Sequence, residues 1–255
     1  SVTGDVEHKV KGSELKMKSA VENFLRPVLQ SGIRVLDVGC GIGTQLHLIR
    51  TDVPDAVVRG IELATVDVDA AKKFYGLDLF AGSLKQFATA HPTERFDLII
   101  LHHTFEHLPD PRAALHTLER LLAPRGTLFI AVPNVMNIRK RPEIFFQIAH
   151  PYAYAPATLQ KMLLLAGFSV VRFNRRGAYP GGMEVLAQRT AEAEKPLPAE
   201  MLREGATIAA VIRHVRLARI RFAVLRTVRD VALFLLPKPL RYRIGTAVSK
   251  ILKRV

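Results

Sequence analysis

Asp37, Gly39, Gly41 and Gly43 stand at alternate positions in Val35-Leu-Asp-Val-Gly-Cys-Gly-Ile-Gly-Thr-Gln-Leu46, where an apolar run turns into a segment of helical character. Residues of these types at this spacing suit the holding of a nucleotide-like ligand. Glycines remove β-carbons where a backbone must turn tightly and approach a ligand, and a carboxylate at a strand end offers acceptors. The spacing narrows the ligand. A dinucleotide fingerprint needs G-x-G-x-x-G, but its last position falls on Thr44 counted from Gly39 and on Leu46 counted from Gly41. A phosphate-binding P-loop is excluded as well, because no Gly-Lys-Ser/Thr follows. Cys40, the single cysteine, lies inside the loop and reads as a small packing residue rather than a nucleophile.

A second carboxylate and a set of imidazoles complete the residues that could do chemistry. Ala56-Val-Val-Arg-Gly-Ile-Glu62 reads as a short strand ending in Glu62, where a doubly wound nucleotide fold puts the acceptor for ribose hydroxyls. Phe96-Asp-Leu-Ile-Ile-Leu101 reads as a buried strand that runs into His102-His-Thr-Phe-Glu-His107. Imidazole has a near-neutral pKa and can take the proton of a hydroxyl acceptor, while a neighbouring carboxylate can orient it. His103, Glu106 and His107 also have the donor types of a divalent-metal site.

Taken in chain order, these motifs resemble a known family. D-x-G-x-G-x-G over Asp37 to Gly43 resembles motif I of the class I S-adenosylmethionine-dependent methyltransferases. Leu79-Phe-Ala-Gly-Ser-Leu84 resembles the third strand and its turn. His102 to Pro111 resembles the segment after strand four in the subfamily related to ubiquinone-pathway and sugar O-methyltransferases. The resemblance resumes at His150-Pro-Tyr-Ala-Tyr-Ala-Pro-Ala-Thr-Leu159 and at Ala166-Gly-Phe168, covering residues 31–189. It implies an α/β fold with a doubly wound, Rossmann-like seven-stranded sheet. It also implies S-adenosylmethionine as cofactor, held by Asp37, Gly39, Cys40, Gly41, Gly43, Glu62, Leu63, Ser83, Leu84, His102 and His103. Asn134 and Tyr152 are implied at the acceptor site, with Tyr154, Arg176 and Tyr179 as further lining. His103 is the first choice of base, His150 the second, and Glu106 the orienting carboxylate. Because some relatives use a divalent ion, Mg²⁺ at His103, Glu106 and His107 is a further expectation.

These residues need elements to position them. Arg112 to Leu122 has amphipathic helical spacing, a fifth strand lies within 124–134, and a helix over 24–29 is expected to cover the cofactor. The insertion after the fifth strand carries Arg139, Lys140 and Arg141, which could meet a phosphate. With 49% hydrophobic residues the 255-residue chain can bury one α/β core plus an appendage. Its boundaries read as a cofactor-binding domain at 1–189, a linker at 190–202 and a C-terminal α-helical extension at 203–255. The single cysteine and the charged, signal-free start point to a cytoplasmic location.

Charge is concentrated in that extension. Of the net +14, residues 203–255 carry +11, with 13 Lys and Arg against Glu204 and Asp230, which leaves +3 for residues 1–202. Leu217, Ile220, Val224, Val228, Val231 and Leu235 form an apolar stripe at steps of three and four, the pattern of a helix that packs one face. Arginine interrupts every run long enough to span a bilayer, so the extension suits the anionic inner surface of a membrane or a dimer partner. Few aromatics and no nucleic-acid-binding module argue against nucleic acid. The expected function is O-methylation of a small-molecule or glycan acceptor, with a saccharide or glycan intermediate as the first choice. A quinone-precursor or lipid methyltransferase, a non-catalytic cofactor-binding scaffold and a nucleic-acid methyltransferase are the alternatives.

Overall fold

Three central strands are apolar on both faces, which suits parallel strands covered by helices on either side. In the computed structural model, which describes residues 17–18, 20–138, 145–146, 148–175, 177, 181–190 and 204–235, they form the middle of a seven-stranded sheet. The elements are β1 (Arg34–Val38), α1 (Thr44–Asp52), β2 (Val57–Glu62), α2 (Thr65–Tyr75), β3 (Phe80–Ala81), α3 (Leu84–Ala90) and β4 (Phe96–His102). There follow α4 (Pro111–Leu121), β5 (Leu122–Pro133), α5 (Pro156–Leu165), β6 (Phe168–Asn174), β7 (Gly182–Arg189) and α6 (Glu204–Leu235). The strand order is β3-β2-β1-β4-β5-β7-β6, parallel except for β7, which runs antiparallel to both β5 and β6.

Side-chain alternation sorts the core into two layers. Leu36, Val38, Ile99, Leu101, Leu128 and Ile130 pack on one face with Leu115 and Leu118 of α4 and Leu159 and Leu163 of α5. Val35, Leu98, Ile100 and Phe129 pack on the other with Leu46 and Ile49 of α1 and Ala70 and Ala71 of α2. This double cover fixes the register that brings the ends of β1, β2 and β4 level: Asp37 lies opposite Gly60 and Ile100.

Where a helix over 24–29 is expected, the chain forms a π-turn at Val21–Leu25 followed by a 3-10 turn at Arg26–Val28, and Leu29 is extended. Phe24 is spent on the sheet, its ring 5.7 Å from that of Phe129 and beneath the Arg172 guanidinium at 4.7 Å. The segment is thus part of the core. The extension is helical over Glu204–Leu235, with side chains described at 209–225 and 227, and the described part of the apolar stripe is turned away from the body. Leu217, Ile220 and Val224 are exposed, while Val211, Val215, Ala218 and Phe222 pack against the segment after β5. Val228, Val231 and Leu235 fall outside the described side chains, while residues 191–203, which take in the expected linker apart from Thr190, and residues 236–255 fall outside the described residues altogether. Among the described residues no helix is long and apolar enough to cross a membrane.

Candidate active site

The glycine loop joins β1 to α1 at the C-terminal edge of the sheet. Gly39 has φ +71° and a Cβ there would lie 2.5 Å from Thr104 Oγ1, so the loop after β4 occupies the space a side chain would need. Gly41 has φ +54°, and a Cβ there would meet nothing within 4 Å, which leaves open the approach a ligand would use. Its N–H donates to Glu62 Oε2 at 2.8 Å, and Glu62 Oε1 accepts from Leu63 N at 2.8 Å and Ala64 N at 3.0 Å. Glu62 therefore stands at the end of β2 with its carboxylate fixed by three amides before any ribose arrives. Leu63 beside it is 73% exposed, an apolar surface suited to a base.

Asp37 is buried, and its Oδ1 has no hydrogen-bond partner. Burial, and then the nearby Glu62 carboxylate, push its pKa up to about 8. A buried carboxylate with an orphaned oxygen beside an open glycine loop fits a cationic ligand, as S-adenosylmethionine is. Burial also holds the Cys40 thiol well above its usual range, with Asp37 and Glu62 adding to the shift. Cys40 is thus neutral, and it packs against Gly60, where a Cβ would lie 2.7 Å from its sulfur. Ser83 is engaged elsewhere: it caps α3, its Oγ accepting from Gln86 N at 3.3 Å while its own N–H donates to Gln86 Oε1 at 2.8 Å. Leu84 is buried behind it, so any adenine contact here falls to backbone or to the edges of these side chains.

The imidazoles after β4 divide by environment. His102 is buried with Nδ1 2.8 Å from Gln45 Oε1, and burial, with His103 beside it, lowers its pKa to about 3. At that value it is too weak a base to take a proton at neutral pH. His103 has φ +55°, the sole positive value for a non-glycine among the described residues. Such a conformation costs of order 1 kcal/mol or more and is held here by a bond from His103 N to Ala131 O at 2.9 Å. The twist leaves the ring partly exposed and sets Nδ1 3.2 Å from Glu106 Oε1, on a carboxylate that is itself 1% exposed. With Glu106 as the acceptor, Nδ1 is the donor of this bond and the lone pair of a neutral ring is on Nε2.

His150, far away in sequence, returns to the same place: its ring lies 4.7 Å from that of His107, edge to face. Ligand atoms of Glu106, His107 and His150 lie within 4.8 Å of one another, and Glu106 Oε2 is buried with no hydrogen-bond partner. The cluster that could hold a metal thus takes His150 in place of His103. Two imidazoles and one carboxylate do not fit Mg²⁺, which prefers oxygen donors.

The expected acceptor residues are mostly occupied. Asn134 is buried, with Oδ1 accepting from Met136 N at 2.9 Å and Nδ2 donating to Arg175 O at 3.1 Å, which makes it a brace at the end of β5. The Tyr152 hydroxyl donates to Pro109 O at 3.0 Å, tying its loop to the one after β4. Tyr154 is buried, stacked on Phe105 at 5.3 Å, its phenol pushed up chiefly by burial. Arg139, Lys140, Arg141, Arg176 and Tyr179 lie outside the described residues. Two residues that sequence reasoning missed are Thr104 and Gln45, both polar, common types with no motif to mark them.

The strand order with one antiparallel strand and a glycine loop at the C-terminal edge of β1 define the class: a class I, Rossmann-like S-adenosylmethionine-dependent methyltransferase fold. Residues 8–172 match the family described as methyltransferase domain, and the chain belongs to that family. It is similar to the ubiquinone biosynthesis O-methyltransferase of Actinobacillus pleuropneumoniae, 32% identical over 111 residues, covering 40% of this chain and 47% of that one. It is 30% identical to the O-methyltransferase resE of Aspergillus sclerotiorum over 178 residues, 63% of this chain and 66% of that one. The chain thus spans about half the length of the ubiquinone-pathway relative. Among solved structures, a Haloferax volcanii methyltransferase complexed with its Trm112 activator aligns with TM-score 0.62 at 17% identity, over 72% and 95% of the two chains. A methyltransferase from Aquifex aeolicus aligns with TM-score 0.55 at 24% identity, over 72% and 98%.

Proposed function

We propose that the protein is an S-adenosylmethionine-dependent O-methyltransferase that methylates a hydroxyl of a saccharide or glycan intermediate. The observation that carries this reading is the His103–Glu106 pair, a strained, partly exposed imidazole backed by a buried carboxylate at the C-terminal end of β4. When bound, the cofactor supplies an electrophilic sulfonium methyl. Asp37 and Glu62 would hold it at the ends of β1 and β2, and the open face of Gly41 would admit it. His103 Nε2 would take the proton that the acceptor hydroxyl must lose, and Glu106 would stabilise the imidazolium. An alkyl hydroxyl needs such a base more than a phenol, whose pKa is near 10.

A phenolic quinone precursor is the second reading, favoured by the name of the ubiquinone-pathway relatives. Residues 1–189 are read as the catalytic body in either case. The basic extension is read as its attachment to an anionic membrane surface or a second subunit.

Methyl transfer from labelled S-adenosylmethionine to lipid-linked glycans and to phenolic quinone precursors tests both readings. Label in a glycosidase-sensitive product, lost by roughly 10²-fold or more in His103→Gln, supports the first. Label confined to the phenol, with a small His103→Gln effect, replaces it with the second. Cofactor binding without transfer to either fraction would reject both.

A further inference from the structure

Among its described side chains, helix α6 is fastened to the body by one face. Val211, Val215, Ala218 and Phe222, at steps of four, three and four, pack with Val135, Ile138 and Ala155, and Arg221 Nη2 donates to Ile138 O at 3.0 Å. At about 100° per residue, Leu217, Ile220 and Val224 lie roughly opposite that stripe. They are 59%, 59% and 55% exposed. Arg213 and Arg216 belong to the same outward side and are exposed, and Ile212, 47% exposed, stands at its edge. No Asp or Glu occurs between Glu204 and Asp230, whereas arginine occupies 213, 216, 219, 221, 226 and 229.

We infer that this outward face is a docking surface for an anionic lipid bilayer. Three large aliphatic side chains held in water gain by entering the acyl boundary, and guanidinium groups beside them match lipid phosphates, to which they bond in pairs. Charge complementarity selects this occupant over a second copy, because a two-fold contact made by this face sets arginine against arginine. It also selects lipid over nucleic acid, whose phosphate backbone offers nothing to Leu217, Ile220 and Val224.

The inner face ties this surface to the site. The segment beneath α6 begins at Asn134, directly after β5, at the edge of the sheet where the glycine loop and His103 also stand. Docking therefore sets the acceptor side of the body beside the lipid headgroups, where a lipid-borne acceptor would be met. The surface rests on the packing of α6 and not on which acceptor is methylated.

Flotation of the full-length protein with vesicles of phosphatidylcholine alone and with about a third phosphatidylglycerol tests the surface. Wild type is expected to float with the anionic vesicles, and to be released by high salt. Leu217→Glu/Ile220→Glu and Arg213→Glu/Arg216→Glu are each expected to lose at least about tenfold in bound fraction, with melting temperature and cofactor affinity unchanged. Failure of wild type to float, or variants that float as wild type does, would overturn the inference. A dimer by sedimentation that both variants dissociate would assign the face to a second copy, and RNA binding with the same sensitivity would assign it to nucleic acid. Either would overturn it. Cofactor binding by calorimetry is read in parallel, so that loss of the cofactor reading and loss of the docking reading are told apart.

Discussion

Asp37 sets function against stability within one side chain. Its folded-state pKa of about 8 lies above the ordinary carboxylate value of 3.8, so the native state binds a proton that the unfolded chain has released. The resulting stability is fully present below about pH 4 and is lost as pH rises through 8, so the ligand-free protein should weaken across that window. Asp37→Asn removes the dependence. It is expected to raise the melting temperature of the ligand-free protein at pH 8 by a few degrees while cutting affinity for cationic S-adenosylmethionine at least about tenfold, as scanning and titration calorimetry would measure. Equal melting temperatures of wild type and variant at pH 8 would show that Asp37 is ionised without strain. The two glycines make a sharper pair. Both positions have positive φ, so either alanine costs about 1 kcal/mol of backbone strain. Gly41→Ala adds no clash and should fold but lose cofactor affinity, whereas Gly39→Ala also drives a methyl into Thr104 and should lower the melting temperature further. The glycine positions and both acidic residues were legible in sequence because backbone turns and strand ends restrict residue type. The twist of His103 was not, since histidine at positive φ leaves no mark in the spacing, and neither was Asn134's engagement with Met136 and Arg175, which only the β5 end reveals.

At the scale of elements, the strands were legible where tertiary cover is complete. Apart from Asp37 and Asp97, Val35 to Val38, Phe96 to Leu101 and Leu128 to Val132 are apolar on both faces and fall in the central strands. Helix α6 shows the opposite case. Its apolar residues occupy two faces, one made of Val211, Val215, Ala218 and Phe222 and the other of Leu217, Ile220 and Val224, and periodicity alone marks both equally. Which face packs depends on the partner surface after β5, and no local pattern in the helix encodes that. Ala218 decides the matter experimentally. It is 7% exposed against Val135 and Ile138, so Ala218→Glu buries an unpaired carboxylate and should detach α6. Limited proteolysis is then expected to cut near the 191–203 segment at least about tenfold faster than in wild type. The same change at Leu217 should leave the cleavage rate alone, and equal protection in the two variants would place the packed face elsewhere.

For the whole molecule, the division of charge and the division of packing disagree in an informative way. By charge the chain separates near residue 202, with +11 of the +14 beyond it, yet by packing α6 is part of the body, because it covers Val135, Ile138 and Ala155. Removing residues 203–255 therefore does two things at once. It strips the basic surface, and it exposes apolar side chains that were buried, at a cost of about 25 cal/mol for each Å² uncovered. The truncated body is expected to melt a few degrees lower than the full chain and to bind a hydrophobic dye. The candidate cofactor residues Asp37, Gly41 and Glu62 stand on β1, β2 and the glycine loop and are absent from the α6 packing cluster, so cofactor affinity should be kept. Ligand at 100 times its dissociation constant stabilises the native state by about 2.7 kcal/mol whatever the starting stability. Saturating S-adenosylmethionine should therefore raise the melting temperatures of the full and truncated chains by nearly the same amount, from different baselines. A truncated chain that melts lower and also loses the ligand-induced rise would make α6 part of the cofactor site rather than a cover at its edge.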